Sequence, residues 1–172
     1  MNLTVDVQIA TEDDDHPPPA HIEQWVATAL SHHSQGRRKD AAELTVRIVD
    51  EAEITRLNRS YRNQDKPTNV LSFPAEIPNP IELPLLGDLL ICAAVVHREA
   101  HEQNKPAQAH WAHMVIHGTL HLLGYDHIDD HDADIMESLE IEILASLQIT
   151  NPYATSENNG ENNTIRKQCH TP

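Results

Sequence analysis

A chain of 172 residues and 19.3 kDa has the length of one ordinary domain and can bury one sizeable core. It lacks the run of roughly eighteen apolar residues that a membrane span needs, its opening Met1-Asn2-Leu3-Thr4-Val5-Asp6 has no leader character, and the lone Cys92 and Cys169 make no disulfide framework. A reduced, cytoplasmic protein is the expectation, and a formal net charge of −15 argues against nucleic-acid binding unless the few cations are gathered in one place.

Residues 3–9 alternate Leu3, Val5, Val7 and Ile9 with polar neighbours, the period-two pattern of a half-buried strand. After Pro17-Pro18-Pro19, Ile22, Trp25, Val26, Ala29 and Leu30 recur at helical spacing, which predicts a helix to about His33. Residues 43–50 alternate again, and 51–60 place Ile54 and Leu57 three apart: a strand, then a helix. The polar stretch 61–68 reads as a loop, and Val70-Leu71-Ser72-Phe73 as a short strand stopped by Pro74. Pro78, Pro80 and Pro84 mark an irregular connection. Residues 87–91 predict a fourth strand running into a helix from Ala93 to about Gln103, and a further helix follows from Ala107 to about Leu123, ended by Gly124. A last helix spans 130–147, capped by Asp129 or Asp130, with Ile135, Leu139, Ile143 and Leu147 as its core stripe. The Asn-rich segment 151–172 reads as a disordered polar tail. The sum is one α+β domain over residues 1–150, a small mixed sheet of about four strands packed with about five helices.

The chemistry concentrates on the helix from Ala107. His117 and His121 stand four residues apart and project from one face. Gly124 lets the chain turn, so that His127 can swing back as a third ligand. Three neutral imidazoles suit one zinc ion at roughly 2.0–2.1 Å per bond and leave a fourth position for water, an open and therefore catalytic arrangement on a helix and the loop after it. A metal-bound water can reach a pKa of about 7. His110 and His113 share that helical face and are read as packing residues or partners of the ligands. His97, His101 and His131 are weaker candidates, and His16, His21, His32 and His33 have no usable spacing. The His-x-x-x-His-x-x-Gly-x-x-His spacing matches metzincin proteases, but these place a glutamate base immediately after the first histidine. Here that residue is Gly118, which leaves Asp126 as the nearest base for peptide hydrolysis. Met136, nine residues after His127, is read as core and not as a methionine turn.

The cations are indeed gathered. Arg37, Arg38, Lys39, Arg47, Arg56, Arg59, Arg62 and Lys66 put eight of twelve basic residues within one short segment, against six acids there. That segment is locally about +2 and the remainder about −17. The acidic runs at 12–15 and 126–142 read as solvated faces.

His117-Gly118-Thr119-Leu120-His121-Leu122-Leu123-Gly124-Tyr125-Asp126-His127 closely resembles the signature of the YbeY family of bacterial single-strand-specific endoribonucleases. Leu57 to Arg62, Lys66 to Phe73, Leu86-Gly87-Asp88 and His110 to Val115 resemble further family stretches in the same order, so the likeness runs over nearly all of residues 1–153. It implies zinc at His117, His121 and His127, a functional arginine at Arg62, and single-stranded rRNA as substrate. It further implies maturation of the small-subunit 3′ end, ribosome quality control, and small-subunit proteins and a ribosome-assembly GTPase as partners. A guanidinium at Arg62 could clamp phosphate oxygens bidentately. The tail departs from the family pattern, and Asn69 stands where members commonly have Asp, so no catalytic role is assigned to it. The alternatives are a metal-dependent hydrolase of another substrate, peptide above all, and a ribosome-assembly factor with a structural metal.

Overall fold

The computed structural model describes residues 2–34, 41–76, 84–126 and 128–154. The cations 37–39, Pro78, Pro80, His127 and the segment 155–172 lie outside the described residues. The elements run β1 (Asn2–Ala10), α1 (Pro19–Ser34), β2 (Ala41–Val49), α2 (Glu51–Arg62), β3 (Val70–Pro74), β4 (Leu85–Cys92), α3 (Ala93–Glu102), α4 (Ala107–Leu122) and α5 (Asp130–Ser146). The strands form one mixed sheet in the order β1-β2-β4-β3, parallel except for β3, which pairs antiparallel with β4. The α+β arrangement, four strands and five helices among the described residues, is the one predicted.

Strand alternation divides the interior. Leu44, Val46 and Ile48 of β2 with Leu89 and Ile91 of β4 point to the larger core, which takes in α1, α4 and α5. Leu90 and Cys92 point the other way and pack with Leu71 and with Ile54 of α2. Helix α4 therefore lies inside the larger core, and α2 lies on the opposite face of the sheet. None of the helices is long and apolar enough among the described residues to cross a membrane.

Two local expectations change and one, the strand stop at Pro74, holds. Tyr61 and Arg62 belong to the last turn of α2 and not to a loop, because the helix ends only at Asn63, which takes the left-handed conformation (φ 62°) and returns its N–H to the Arg59 carbonyl. Pro74 ends β3 as its last residue, at the sheet edge where a missing N–H costs nothing. The buried face of α5 is Ala133, Met136, Glu140, Ile143 and Leu144, whereas Ile135 is 46% exposed. The stripe is thus rotated toward a glutamate, while Met136 is core as predicted. Asp129 is the cap, its carboxylate accepting from the Asp132 N–H at 2.8 Å.

β3 is held against β4 at Gly87, whose φ is +138° and where a Cβ would lie 2.2 Å from the Phe73 carbonyl oxygen. Replacing Gly87 with Ala must both strain the backbone and push the strands apart. Urea unfolding of Gly87→Ala should show a loss of about 3 kcal/mol; an unchanged midpoint would mean that this pairing contributes nothing to stability.

Candidate metal centre

Every residue from His110 to Leu122 is buried. A helix so enclosed has no solvated face for polar side chains, and α4 carries four histidines there, so each must find a partner inside the protein. At its C-terminal end, His117 and His121 bring their Nε2 atoms to 3.1 Å. Both Nδ1 atoms are already committed as donors. His117 Nδ1 donates to Glu140 Oε2 at 2.5 Å, and His121 Nδ1 donates to the Tyr125 carbonyl at 2.9 Å. In neutral rings the two Nε2 lone pairs therefore face each other, a repulsive arrangement that a cation between them relieves. Two nitrogens on one tetrahedral zinc stand about 3.3 Å apart, close to the observed separation. The donor set fits a metal ion of this type.

The loop that supplies the Tyr125 carbonyl is set by Gly124, whose φ of +103° ends the helix, with Tyr125 N–H returning to the Leu120 carbonyl at 3.1 Å. Asp126 follows, half-buried, immediately before the position of His127. His127 lies outside the described residues, so the structure brings together two of the three predicted ligands.

The partners of the remaining histidines come from elsewhere in the chain. Glu140 of α5, fully buried, accepts from His113 Nε2 at 2.8 Å as well as from His117, and Tyr153 donates its hydroxyl to the same carboxylate. Glu99 of α3 accepts from His110 Nε2 at 2.8 Å and from Asn69 Nδ2 at 3.1 Å. The ligand atoms of His113, His117 and Glu140 lie within 4.8 Å of one another, so this trio could also hold an ion. Its N···O separations of 2.5 and 2.8 Å are those of direct hydrogen bonds, which leave no room for an ion between the atoms.

Asn69 acquires a structural account. Its amide donates to Glu99 while its carbonyl oxygen accepts from the Val70 N–H at 2.7 Å, fixing the entry to β3. An Asp there would set two carboxylates against each other and force them to share a proton. Gly118 faces the sheet: a Cβ would meet Leu89 Cδ2 at 2.8 Å and Val70 Cγ2 at 3.3 Å. A glutamate base at 118 would thus start inside the packing of α4 on β3 and β4. Of the weaker candidates, His97 accepts from the Trp111 indole at 3.0 Å, and His101 and His131 are exposed. The sequence reading did not find Glu99, Glu140 or Tyr153. A stripe traced through Met136, Glu140 and Ile143 would have flagged Glu140 as an inward-facing acid.

Burial pushes the His113 imidazole down to about 4 against the opposing pull of Glu140. Burial alone would raise Glu140, but the fields and hydrogen bonds of His117 and His113 outweigh it and hold the carboxyl below its usual range. In the unfolded chain His113 takes up a proton near pH 6.5 and in the folded protein only near 4. The unfolded state then binds more protons between those values, so stability is complete above the higher one and declines as pH falls toward the lower. Glu140 acts in the same direction, its contribution being lost under more acidic conditions. Chelator-treated protein should lose on the order of 3 kcal/mol from this source. Imidazole NMR should show His113 neutral down to about pH 4; protonation near its ordinary value would contradict a buried neutral ring.

Comparison with known proteins agrees with this architecture. The fold is similar to the solution structure of TM1509 from Thermotoga maritima, with a TM-score of 0.54 and 25% sequence identity over 90% of this chain and 99% of that one. The sequence matches the family model of endoribonuclease YbeY over residues 8–148. That span takes in, among the described residues, every helix, the histidines of α4 and the buried Glu99 and Glu140. The chain therefore belongs to the YbeY endoribonuclease family.

Proposed function

We propose that this chain is a zinc-dependent, single-strand-specific endoribonuclease acting on rRNA in the cytoplasm. In this reading it serves maturation of the small-subunit 3′ end and ribosome quality control, alongside small-subunit proteins and a ribosome-assembly GTPase. Family membership supports RNA cleavage and a role in rRNA processing. The observation that carries the metal is the pair of facing Nε2 atoms on His117 and His121, both rings being oriented by acceptors at Nδ1. His127 is proposed as the third ligand. A zinc ion held there would supply a Lewis acid for a phosphate oxygen or for water.

The substrate side of the reading rests on β3. Ser72 faces α4, its hydroxyl 3.5 Å from the Gly118 carbonyl, while the next residue, Phe73, meets Tyr61 of α2 edge-on at 5.2 Å between ring centroids. One short edge strand thus links the histidine helix to the terminal turn of α2, which carries Arg62. Arg62 is half-buried there, with Arg56, Arg59 and Lys66 exposed on the same helix and the loop after it. Its guanidinium is proposed to grip phosphate oxygens and to stabilise charge as the phosphodiester is attacked. Tyr61 is 61% exposed, and its ring offers a stacking face that an unpaired base can reach and a duplex cannot. Arg47 is less suited to this work, since Glu53 holds it bidentately at 2.7 and 3.1 Å. The packing of Gly118 against Leu89 weighs against a metzincin-like protease.

Nuclease-free protein should lose cleavage of single-stranded RNA by at least a hundredfold in both Arg62→Ala and His121→Ala. Full activity in both variants would refute the reading. Chelator should abolish activity while leaving the chain folded, with only the moderate fall in melting temperature that removing a native-state ligand entails; unfolding on chelation would mark the ion as structural and favour the assembly-factor alternative. Tyr61→Ala should raise KM for single-stranded RNA several-fold while Tyr61→Phe does not, and equal KM values in the two variants would remove base stacking from the account.

A further inference from the structure

Glu140 does more than neutralise a buried helix. Its two oxygens are shared among three donors from two directions: His117 Nδ1 on Oε2, and His113 Nε2 with the Tyr153 hydroxyl on Oε1. Tyr153 lies beyond the residues matched by the family, yet it is firmly placed. Its N–H donates to Asn151 Oδ1 at 2.8 Å, Lys105 Nζ donates to the Pro152 carbonyl at 2.7 Å, and its ring stands edge-on to His113 at 5.4 Å. The segment after α5 is thereby fastened to the loop before α4 and turned inward onto the carboxylate.

We propose that Glu140 and Tyr153 form a positioning pair that holds His117 in the Nδ1–H tautomer, so that its Nε2 lone pair is fixed toward the metal and the affinity of the site is set from α5 and the segment after it. The inference rests on the reading of His117 and His121 as ligands. Its chemistry is specific. A carboxylate only accepts, so both histidines must present N–H to it, and neither can turn a lone pair toward α5. A glutamine accepts through one atom and donates through the other; its oxygen belongs at the Oε1 position, where His113 and Tyr153 both donate, so its NH2 faces His117 and that ring must reverse its tautomer. Its Nε2 then carries the hydrogen and is closed to a metal. Tyr153, by donating to Oε1, removes the remaining freedom of the carboxylate to rotate away from His117. Outer partners of this kind change metal affinity by roughly ten- to a hundredfold.

The test uses the full chain. Zinc affinity would be measured by competition with a chelator for the wild type, Glu140→Gln, Tyr153→Phe and His121→Ala, and ring-nitrogen NMR of the metal-free proteins would report the His117 tautomer. The expected results are a ten- to hundredfold weaker site in Glu140→Gln, with His117 shifted toward Nε2–H, and a smaller loss of at least threefold in Tyr153→Phe. Wild-type affinity in a folded Glu140→Gln, or an unaltered His117 tautomer, would overturn the proposal. Should Glu140→Gln fail to fold, Tyr153→Phe decides: wild-type affinity there would overturn it equally. Cobalt substitution provides the remaining check, because loss of an oxygen ligand from the cobalt spectrum of Glu140→Gln would make Glu140 a ligand and not a positioning residue. A wild type that binds no zinc, or His121→Ala that binds it undiminished, would instead refute the ligand reading itself.

Discussion

The constraint on which the structure turns is the burial of α4 from His110 to Leu122 with four imidazoles aboard. A core helix usually meets its neighbours with apolar side chains, and α4 does so through Trp111, Met114, Val115, Ile116 and Leu120. Its histidines cannot be left unpaired in that setting, since a buried polar group without a partner costs about 1–3 kcal/mol. Two neighbouring helices answer this with one carboxylate each. Glu99 of α3 serves His110, and Glu140 of α5 serves His113 and His117. Only His121, nearest the end of the helix, relies on a backbone carbonyl.

This arrangement places the polar groups in sequence along one helix. At the inner end, Asn69, Glu99 and His110 secure the start of β3. At the outer end, Glu140, His117 and His121 orient two nitrogens toward one point. The same helix thus anchors the edge strand and presents the two facing nitrogens. It can do both because β3 crosses it at Gly118, where the lack of a side chain lets the sheet approach closely. The residue that removes the protease base is also the one that permits this packing.

The likeness to metzincins is accordingly one of spacing. A step of four residues from the first histidine to the second and a helix-ending glycine are what any helix needs to offer two imidazoles to one ion and then reverse direction. What differs is the surroundings of that spacing. The sheet side of α4 is closed by Leu89 and Val70, the inner side is held by acids of α3 and α5, and the opposite face of β3 carries an arginine-bearing helix with an exposed tyrosine.

Local periodicity is enough to place most elements and to put His117 and His121 on one face, because both depend only on neighbours along the chain. Alternation at Leu44, Val46 and Ile48 marks a strand wherever it packs, and an i, i+4 spacing puts His117 and His121 on one helical face whatever lies opposite. It is less informative at helix ends: the polarity of Tyr61 and Arg62 suggests a loop and conceals a final turn closed by Asn63 in the left-handed conformation. It could not select among the acids of α5. Glu137, Glu140 and Glu142 are alike as letters, and the apolar stripe does not separate them: Ile143 is core and Leu139 and Leu147 pack against it, while Ile135 faces outward. Only the packing of α5 against α4 decided that Glu140 turns inward, because burial depends on which neighbour arrives across space, and that information is held by no single segment of the chain.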